Sequence, residues 1–540
     1  MKVIRFYRPK NAFTQIFWIL FYIAVFAVFV GGVALYLFYP VFADYFVPLY
    51  SSMKLDQIIV SVIKDFDYSA LEPEVTALIQ HKLKLLAIAA GCFLAGLLFC
   101  INFVIPRKGK KDIVLHTEPL KRLTALALAA VSVWYGYGRA AQDPSFAEFF
   151  KAYFVPSNFI AQNYSDPETT SIVFPEKKRN LIHIYLESME NSFLSKDLGG
   201  NMDSNLIPHL TALAYDGTVF SDNDGYFGGA LRATGADWSV ASMVNQTSGL
   251  PQIAPGYKNY YGAKDHYLPG AYTLGELLQR EGYEQTMMIG ASASFAKLQY
   301  YYQSHGNWKI FDYDYAKKEG YIPEDYKEFW GFEDEKLFDF AKEEITRLYE
   351  TGKPFNFTVE TADTHYPSGY ITDEDETPFD TGYANALWNS DRRVTEFVEW
   401  IQEQPFYDNT TIVLIGDHLS MAGDFFEYYG FDDSYTRTQF NLILNPDPSV
   451  LEGQNAAVTN NRLWANWDYY PTIVAALGGK IEGNRLGIGT NLFSGEKTVF
   501  EQYGVDYVNN ELEKWSPLYM RDILEVNTLF EAVYLDVYDG

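Results

Sequence analysis

The sequence predicts an α/β domain built on a mostly parallel sheet flanked by helices, preceded by an N-terminal bundle of three membrane-spanning helices. Three observations predict it. Long uncharged apolar stretches crowd the first 140 residues. From about residue 179, short apolar runs alternate with amphipathic stretches, the pattern of a sheet covered on both faces. Charge divides at the same place: residues 1–140 carry 15 Lys/Arg and 8 Asp/Glu, whereas 141–540 carry 27 and 61.

The anchor comes first. Residues 11–43 hold no charged side chain, and a helix of about 20 apolar residues crosses a bilayer core. The expected spans are about 13–40, 85–106 and 121–139, within an anchor of residues 1–140. Lys2, Arg5, Arg8 and Lys10 precede the first span, Arg107, Lys108, Lys110 and Lys111 lie between the second and third, and Lys121 and Arg122 stand at the start of the third. Positive charge marks the cytoplasmic side. The order is then in, out, in, out, which places the remainder outside the cell, and that assignment depends on the third span. The two cysteines, Cys92 and Cys100, lie in the second apolar stretch, and the 440 residues after Cys100 have none. No disulfide framework or cysteine-based zinc site is available there. A large outer domain without disulfides fits a bacterial cell membrane. The acidic body repels nucleic acid, and its plainest consequence is solubility.

Residues 141–178 read as a connector near the membrane surface, its FAEFFKAYFVPSNFI segment suited to lie on a bilayer or to pack on the domain. The catalytic domain is expected at 179–500, with 501–540 as an extension packed on it. Within the domain, NLIHIYL (180–186), YEQTMMIG (283–290), FNFTVET (355–361), TTIVLIG (410–416) and QFNLILN (439–445) read as strands, being short apolar runs bounded by turns. Helices are expected at 271–283, 334–350, 384–404 and 467–479.

Ligands of open α/β sheets bind beyond the carboxyl ends of the strands. Glu187 follows the first strand, Asp363 and His365 follow FNFTVET, and Asp417 and His418 follow TTIVLIG. Carboxylates with imidazole suit a divalent cation. Taken singly, each has an ordinary explanation: Glu187 as a cap, His365 as a satisfied loop histidine, Asp417-His418 as a turn. Their joint placement at one rim is what points to a site. His183 lies inside a strand and reads as a core residue, and His209 as packing.

The segments IYLESME (184–190), ATGADWSVASMVNQTSGLP (233–251), TADTHYPSGY (361–370), VLIGDHLSMAG (413–423) and GGKIEGNRLGIGTNLFSG (478–495) resemble the alkaline-phosphatase-like (sulfatase-like) superfamily. Within it they resemble the branch of lipoteichoic acid synthases and phosphoglycerol transferase I. The resemblance implies an alkaline-phosphatase-like domain, with Glu187, Thr234, Asp417 and His418 as ligands of one divalent cation, Mn²⁺ first, with Mg²⁺ or Zn²⁺ also suited. It implies Thr234 as nucleophile, His365 in contact with the transferred phosphate or leaving group, and Trp330 and Trp238 as substrate contacts. The family's Thr-Gly stands directly before a tryptophan, whereas here Ala236 and Asp237 separate Thr234-Gly235 from Trp238. Ser239 and Thr247 are therefore the reserve nucleophiles. The arginine that grips phosphoglycerol in the synthases has no evident counterpart.

The implied function is transfer of phosphoglycerol from phosphatidylglycerol to a cell-envelope glycan or glycolipid, through a phospho-threonine. The partners would be that donor, that acceptor and the membrane, with no nucleic acid. Phosphoethanolamine transfer or phosphodiester hydrolysis by the same residues is the nearest alternative. An inactive tethered domain that binds polymer or lipid is the alternative of another class. Sulfatase chemistry itself requires a C/S-x-P-x-R motif, which the sequence does not contain.

Overall fold

The structure is a computed structural model that describes residues 12–46, 73–98, 103–105, 113–115, 118–253, 267–432, 434–452 and 456–525. The chain forms two compact units, Met1–Phe154 and Val155–Gly540.

The N-terminal unit contains α1 (Ala12–Val41), α2 (Pro73–Leu98), α3 (Glu118–Ala140) and α4 (Pro144–Phe154). Small residues let α1 and α3 approach closely. A Cβ on Gly32 would lie 2.5 Å from the Ser132 backbone, and one on Gly136 would lie 2.4 Å from the Gly32 oxygen. At one end of the pair Tyr22 donates to Glu118 at 2.6 Å, and Arg122 sits 3.2 Å from the Trp18 ring centroid. Two segments among the described residues, Ile16–Tyr45 and Pro73–Leu97, are long and apolar enough to cross a membrane. The expected third span, about 121–139, is a helix but is not one of them. It carries Lys121, Arg122 and Arg139, and much of its length is Ala, Ser, Gly and Tyr rather than Leu, Ile and Phe. The three-span anchor is thus corrected to two candidate spans and a third, more polar helix. On α4, Phe146 is buried against Tyr39 and Tyr137, while Phe154 is exposed.

The second unit is built on a six-stranded sheet. Its strands are β1 (Asn180–Leu186), β2 (Glu284–Ile289), β3 (Lys309–Phe311), β4 (Phe355–Glu360), β5 (Thr410–Gly416) and β6 (Asn441–Leu444). Their spatial order is β6-β5-β1-β4-β2-β3. Every pairing is parallel except β6 with β5, so five strands end at one rim. β3 escaped the sequence reading because three residues are too few to show a period.

Alternation along the strands separates two cores. Tyr185, Met287, Ile289, Val413 and Ile415 face α5 (Ser239–Ser248), α6 (Leu274–Arg280) and α9 (Tyr469–Ala476). Ile184, Leu186, Phe357, Val359, Ile412 and Leu414 face α7 (Asp334–Glu350) and α8 (Gly382–Gln402). Because both faces are covered, the strands read as continuous apolar runs.

Residues 155–178 belong to this unit: Phe159 and Ile160 are buried, and Ile172–Val173 pairs with Lys480–Ile481. The tail to residue 525 also packs here, burying Val508, Leu512, Tyr519 and Met520. Residues 526–540 of the expected extension lie outside the described residues.

Candidate active site

β1 and β5 are neighbours in register, Leu186 opposite Gly416. The residues that follow them therefore emerge side by side. Glu187, Asp417 and His418 are all buried, and each offers a ligand atom within 4.8 Å of the others. His418 Nε2 lies 3.4 Å from Asp417 Oδ2 and 3.7 Å from Glu187 Oε1. The backbone fixes this arrangement. Asp417 Oδ1 accepts from Ser188 N and from His418 N, each at 2.7 Å. Ser188, at φ 55°, donates its hydroxyl to Glu187 Oε1 at 2.7 Å. That left-handed backbone is costly for a residue with a Cβ, and here it turns the chain immediately after a ligand. His418 Nδ1 donates to the Leu419 carbonyl at 2.9 Å, which fixes the tautomer and leaves Nε2 facing the carboxylates.

The electrostatics fit a cation. Burial raises the Asp417 pKa, and the Glu187 charge adds to it. Burial opposes a charged His418 ring, but the Asp417 and Glu187 carboxylates together outweigh it and its pKa rises. Asp417 Oδ2 is buried with no hydrogen-bond partner among the described residues, and a buried polar atom left unbonded is expensive. Two carboxylates, a neutral-capable imidazole and an orphaned buried oxygen form a suitable donor set for one divalent cation.

The hydroxyl beside this cluster belongs to Ser239. Its Oγ lies 3.3 Å from Glu187 Oε2. Ser239 is the first residue of α5, and Trp238 is its N-cap. The helix therefore presents its N-terminus, where an anion is favoured, to the site. Thr234 is elsewhere. Its amide donates to Asn509 Oδ1 at 2.8 Å, and its hydroxyl to the Asn509 carbonyl at 3.5 Å. Gly235, at φ 82° and packed on Gln252, turns the chain between Thr234 and the helix. Thr234 thus bonds Asn509, whereas the hydroxyl bonded to Glu187 is that of Ser239, the reserve nucleophile, with the inserted Ala236 and Asp237 in the turn between them. Thr247 is buried further along α5, bonded to Tyr301.

His365 Nδ1 donates to the Tyr366 carbonyl at 2.8 Å, leaving Nε2 free. Burial lowers its pKa, with a smaller contribution from His418. Trp330 is exposed and meets the His365 ring edge-to-face at 4.9 Å. Trp238 meets Phe295 at 6.4 Å. Asp363 does not join the carboxylate cluster. It lies 3.7 Å from Arg393, which also binds Asp375 at 2.6 Å, while Asp334 accepts from the amides of Ala362 and Asp363. This buried network holds the loop that carries His365.

Residues 179–479, more than half of the chain, match the family model described as Sulfatase. The chain belongs to the sulfatase family. Phosphoglycerol transferase I of Salmonella choleraesuis (strain SC-B67) is 30% identical over 345 residues, 62% of this chain. The chain spans only 41% of that relative's length. Among solved structures, the lipoteichoic acid synthase LtaP from Listeria monocytogenes aligns at 18% identity over 62% of this chain and 80% of its own, with a TM-score of 0.46. The Streptococcus pyogenes phosphoglycerol transferase GacH, in complex with sn-glycerol-1-phosphate, aligns at 15% identity over 71% of this chain and 93% of its own, with a TM-score of 0.40.

One residue of this sulfatase-family site was not expected. Glu360 ends β4 on the face shared by Tyr185 and Ile289, its neighbours in register. It is buried, one of its oxygens has no partner, and burial followed by the Asp417 and Glu187 charges raises its pKa far above the carboxylate range. Its only mark in the sequence is that it is the one charge in FNFTVE, which does not by itself say that it is buried.

Proposed function

We propose that the chain is a membrane-anchored transferase that moves phosphoglycerol from phosphatidylglycerol to an envelope glycan or glycolipid, with Ser239 as nucleophile. The observation that carries the reading is the Ser239 hydroxyl at the start of α5, 3.3 Å from Glu187 of the Glu187–Asp417–His418 cluster. The identity to phosphoglycerol transferase I supports the headgroup. The two candidate spans support a donor met in the bilayer, and placement of the second unit outside the cell completes the scheme.

Glu187, Asp417 and His418 would hold the divalent cation, Mn²⁺ first. When bound, that ion would lower the pKa of a neighbouring hydroxyl and draw charge from the phosphoryl oxygens. Ser239 Oγ then attacks phosphorus, the bond to the diacylglycerol oxygen breaks, and the serine's proton is balanced on that departing oxygen. The product is a phosphoglyceryl-serine. An acceptor hydroxyl attacks next and restores Ser239. His365, with Nε2 unbonded among the described residues, accepts the acceptor's proton in that step, and the departing Ser239 oxygen takes a proton back, so that serine and histidine are both restored. Trp330, beside His365, lines the approach. The N-terminus of α5 favours the negative charge that develops near Ser239.

The test is diacylglycerol release from phosphatidylglycerol vesicles, with and without a glycan acceptor. Release that requires Ser239 and rises with acceptor supports transfer. Equal release without acceptor identifies a hydrolase, and release only from phosphatidylethanolamine would replace the headgroup.

A further inference from the structure

Beneath α5 runs a chain of buried polar side chains that the catalytic scheme does not use. His183, in the middle of β1, bonds through Nε2 to Gln246 Oε1 at 3.0 Å. Gln246 Nε2 donates to Ser242 Oγ at 2.9 Å. Asn466 Nδ2 donates to the same Ser242 Oγ at 2.6 Å and to the Asp417 carbonyl at 3.1 Å. All four side chains are buried, none more than 1% exposed. The burial holds His183 neutral, with its pKa lowered to about 3, so its Nε2–H donates to the Gln246 carbonyl oxygen.

The chain touches three elements, and each carries one part of the candidate site. β1 runs directly into Glu187. α5 begins at Ser239, one turn before Ser242. The Asp417 carbonyl belongs to a metal-ligand residue. A polar network buried between a helix and a sheet costs desolvation that apolar packing would avoid, and here Asn466 Oδ1 is left without a partner among the described residues, but the directional bonds that are made specify one arrangement. Apolar side chains would hold α5 on the sheet but would let it slide along its axis. Directional bonds do not permit that. A shift of about 1 Å at a reacting group is enough to cost a large factor in rate.

We propose that Asn466 and Ser242 are positioning residues. They fix the register of α5 against the Asp417 backbone and thereby set the distance from the Ser239 hydroxyl to the carboxylates. This rests on the reading of Ser239 as nucleophile. Gln439 Nε2 also donates to the Asp417 carbonyl, at 3.2 Å, so removing Asn466 releases α5 from the Asp417 backbone, leaving its Gln246–His183 bond to β1, while residue 417 stays tethered.

The experiment uses the full-length protein with Mn²⁺ and measures diacylglycerol release from vesicles of phosphatidylglycerol and, separately, phosphatidylethanolamine. Asn466→Ala, Ser242→Ala and the double variant are compared with wild type. Each single variant is expected to lower kcat by about tenfold to a hundredfold, with KM and the Mn²⁺ dissociation constant within about threefold. The double variant is expected to be no slower than the slower single, because both changes break one link. Unchanged kcat in the singles overturns the proposal, as does a double whose losses multiply. A change confined to thermal stability also overturns it and leaves the network a packing feature. The reading of the site fails in a distinguishable way: wild type then releases diacylglycerol from neither lipid, or Ser239→Ala releases it as fast as wild type. Turnover of phosphatidylethanolamine alone changes only the headgroup, and the same ratios then decide the positioning role.

Discussion

Ser239 and Thr234 are close in sequence and both carry hydroxyls, yet among the described residues the bond to Glu187 is made by Ser239, whereas Thr234 bonds Asn509. Ser239→Ala is therefore expected to remove transfer, a loss of about a thousandfold or more for a nucleophile, while Thr234→Ala stays within a few fold. Diacylglycerol release measures both. Asp417→Ala should abolish Mn²⁺ binding to the purified protein, read by elemental analysis after dialysis, and stoichiometric ion in that variant would contradict the ligand set. At this scale the juxtaposition of Glu187, Asp417 and His418 was legible because they stand within two residues of strand ends, and strand ends are easy to read. The proposed nucleophile was harder. Its position depends on a glycine turn and a two-residue insertion, and neither has a period. Glu360 was hidden for a different reason, since nothing in one chain distinguishes a charge that ends a strand inside from one that ends it outside.

Among the elements, long amphipathic helices were read well: α7 was expected at 334–350 and spans Asp334–Glu350. α5 was not read as a helix. Its sequence, SVASMVNQTS, is polar over half its length, yet Asn245, Gln246, Thr247 and Ser248 are all buried. Asn245, Thr247 and Ser248 bond back to carbonyls of α5 itself and Gln246 to His183 on β1, so the short apolar stripe of Val240, Met243 and Val244 is masked by buried polar residues. The loop that carries His365 depends in turn on Arg393, whose guanidinium faces Asp363 and Asp375 in the interior. Removing one partner of a buried ion pair costs about 3–5 kcal/mol. Arg393→Ala should lower the melting temperature of the protein by many degrees, and an unchanged melt would show that the network carries no load. In the N-terminal unit, Gly32→Leu would drive a side chain into Ser132 on α3. It should reduce the recovery of folded protein in detergent, followed by size-exclusion chromatography.

For the whole molecule, the charge division anticipated two regions, and the structure divides into two units, at Phe154 rather than near residue 140. Hydropathy cannot see that 155–178 pack on the second unit, with Phe159 and Ile160 buried, because their contacts lie in the distant 480–525 region. The orientation is the claim most exposed to test, now that the third helix is not apolar enough to count as a crossing. A cysteine placed at the exposed Lys318 (Lys318→Cys) is expected to react with an impermeant maleimide in intact cells. Labelling only after lysis would put the second unit inside and remove the envelope acceptor. The shortest route to the central claim is to map the covalent adduct. The purified protein is incubated with Mn²⁺ and phosphatidylglycerol, quenched in acid, digested and sequenced by mass spectrometry. Phosphoglycerol on the peptide at Ser239 is the expected result. An adduct on Thr234, or turnover with no adduct on any hydroxyl, would contradict it.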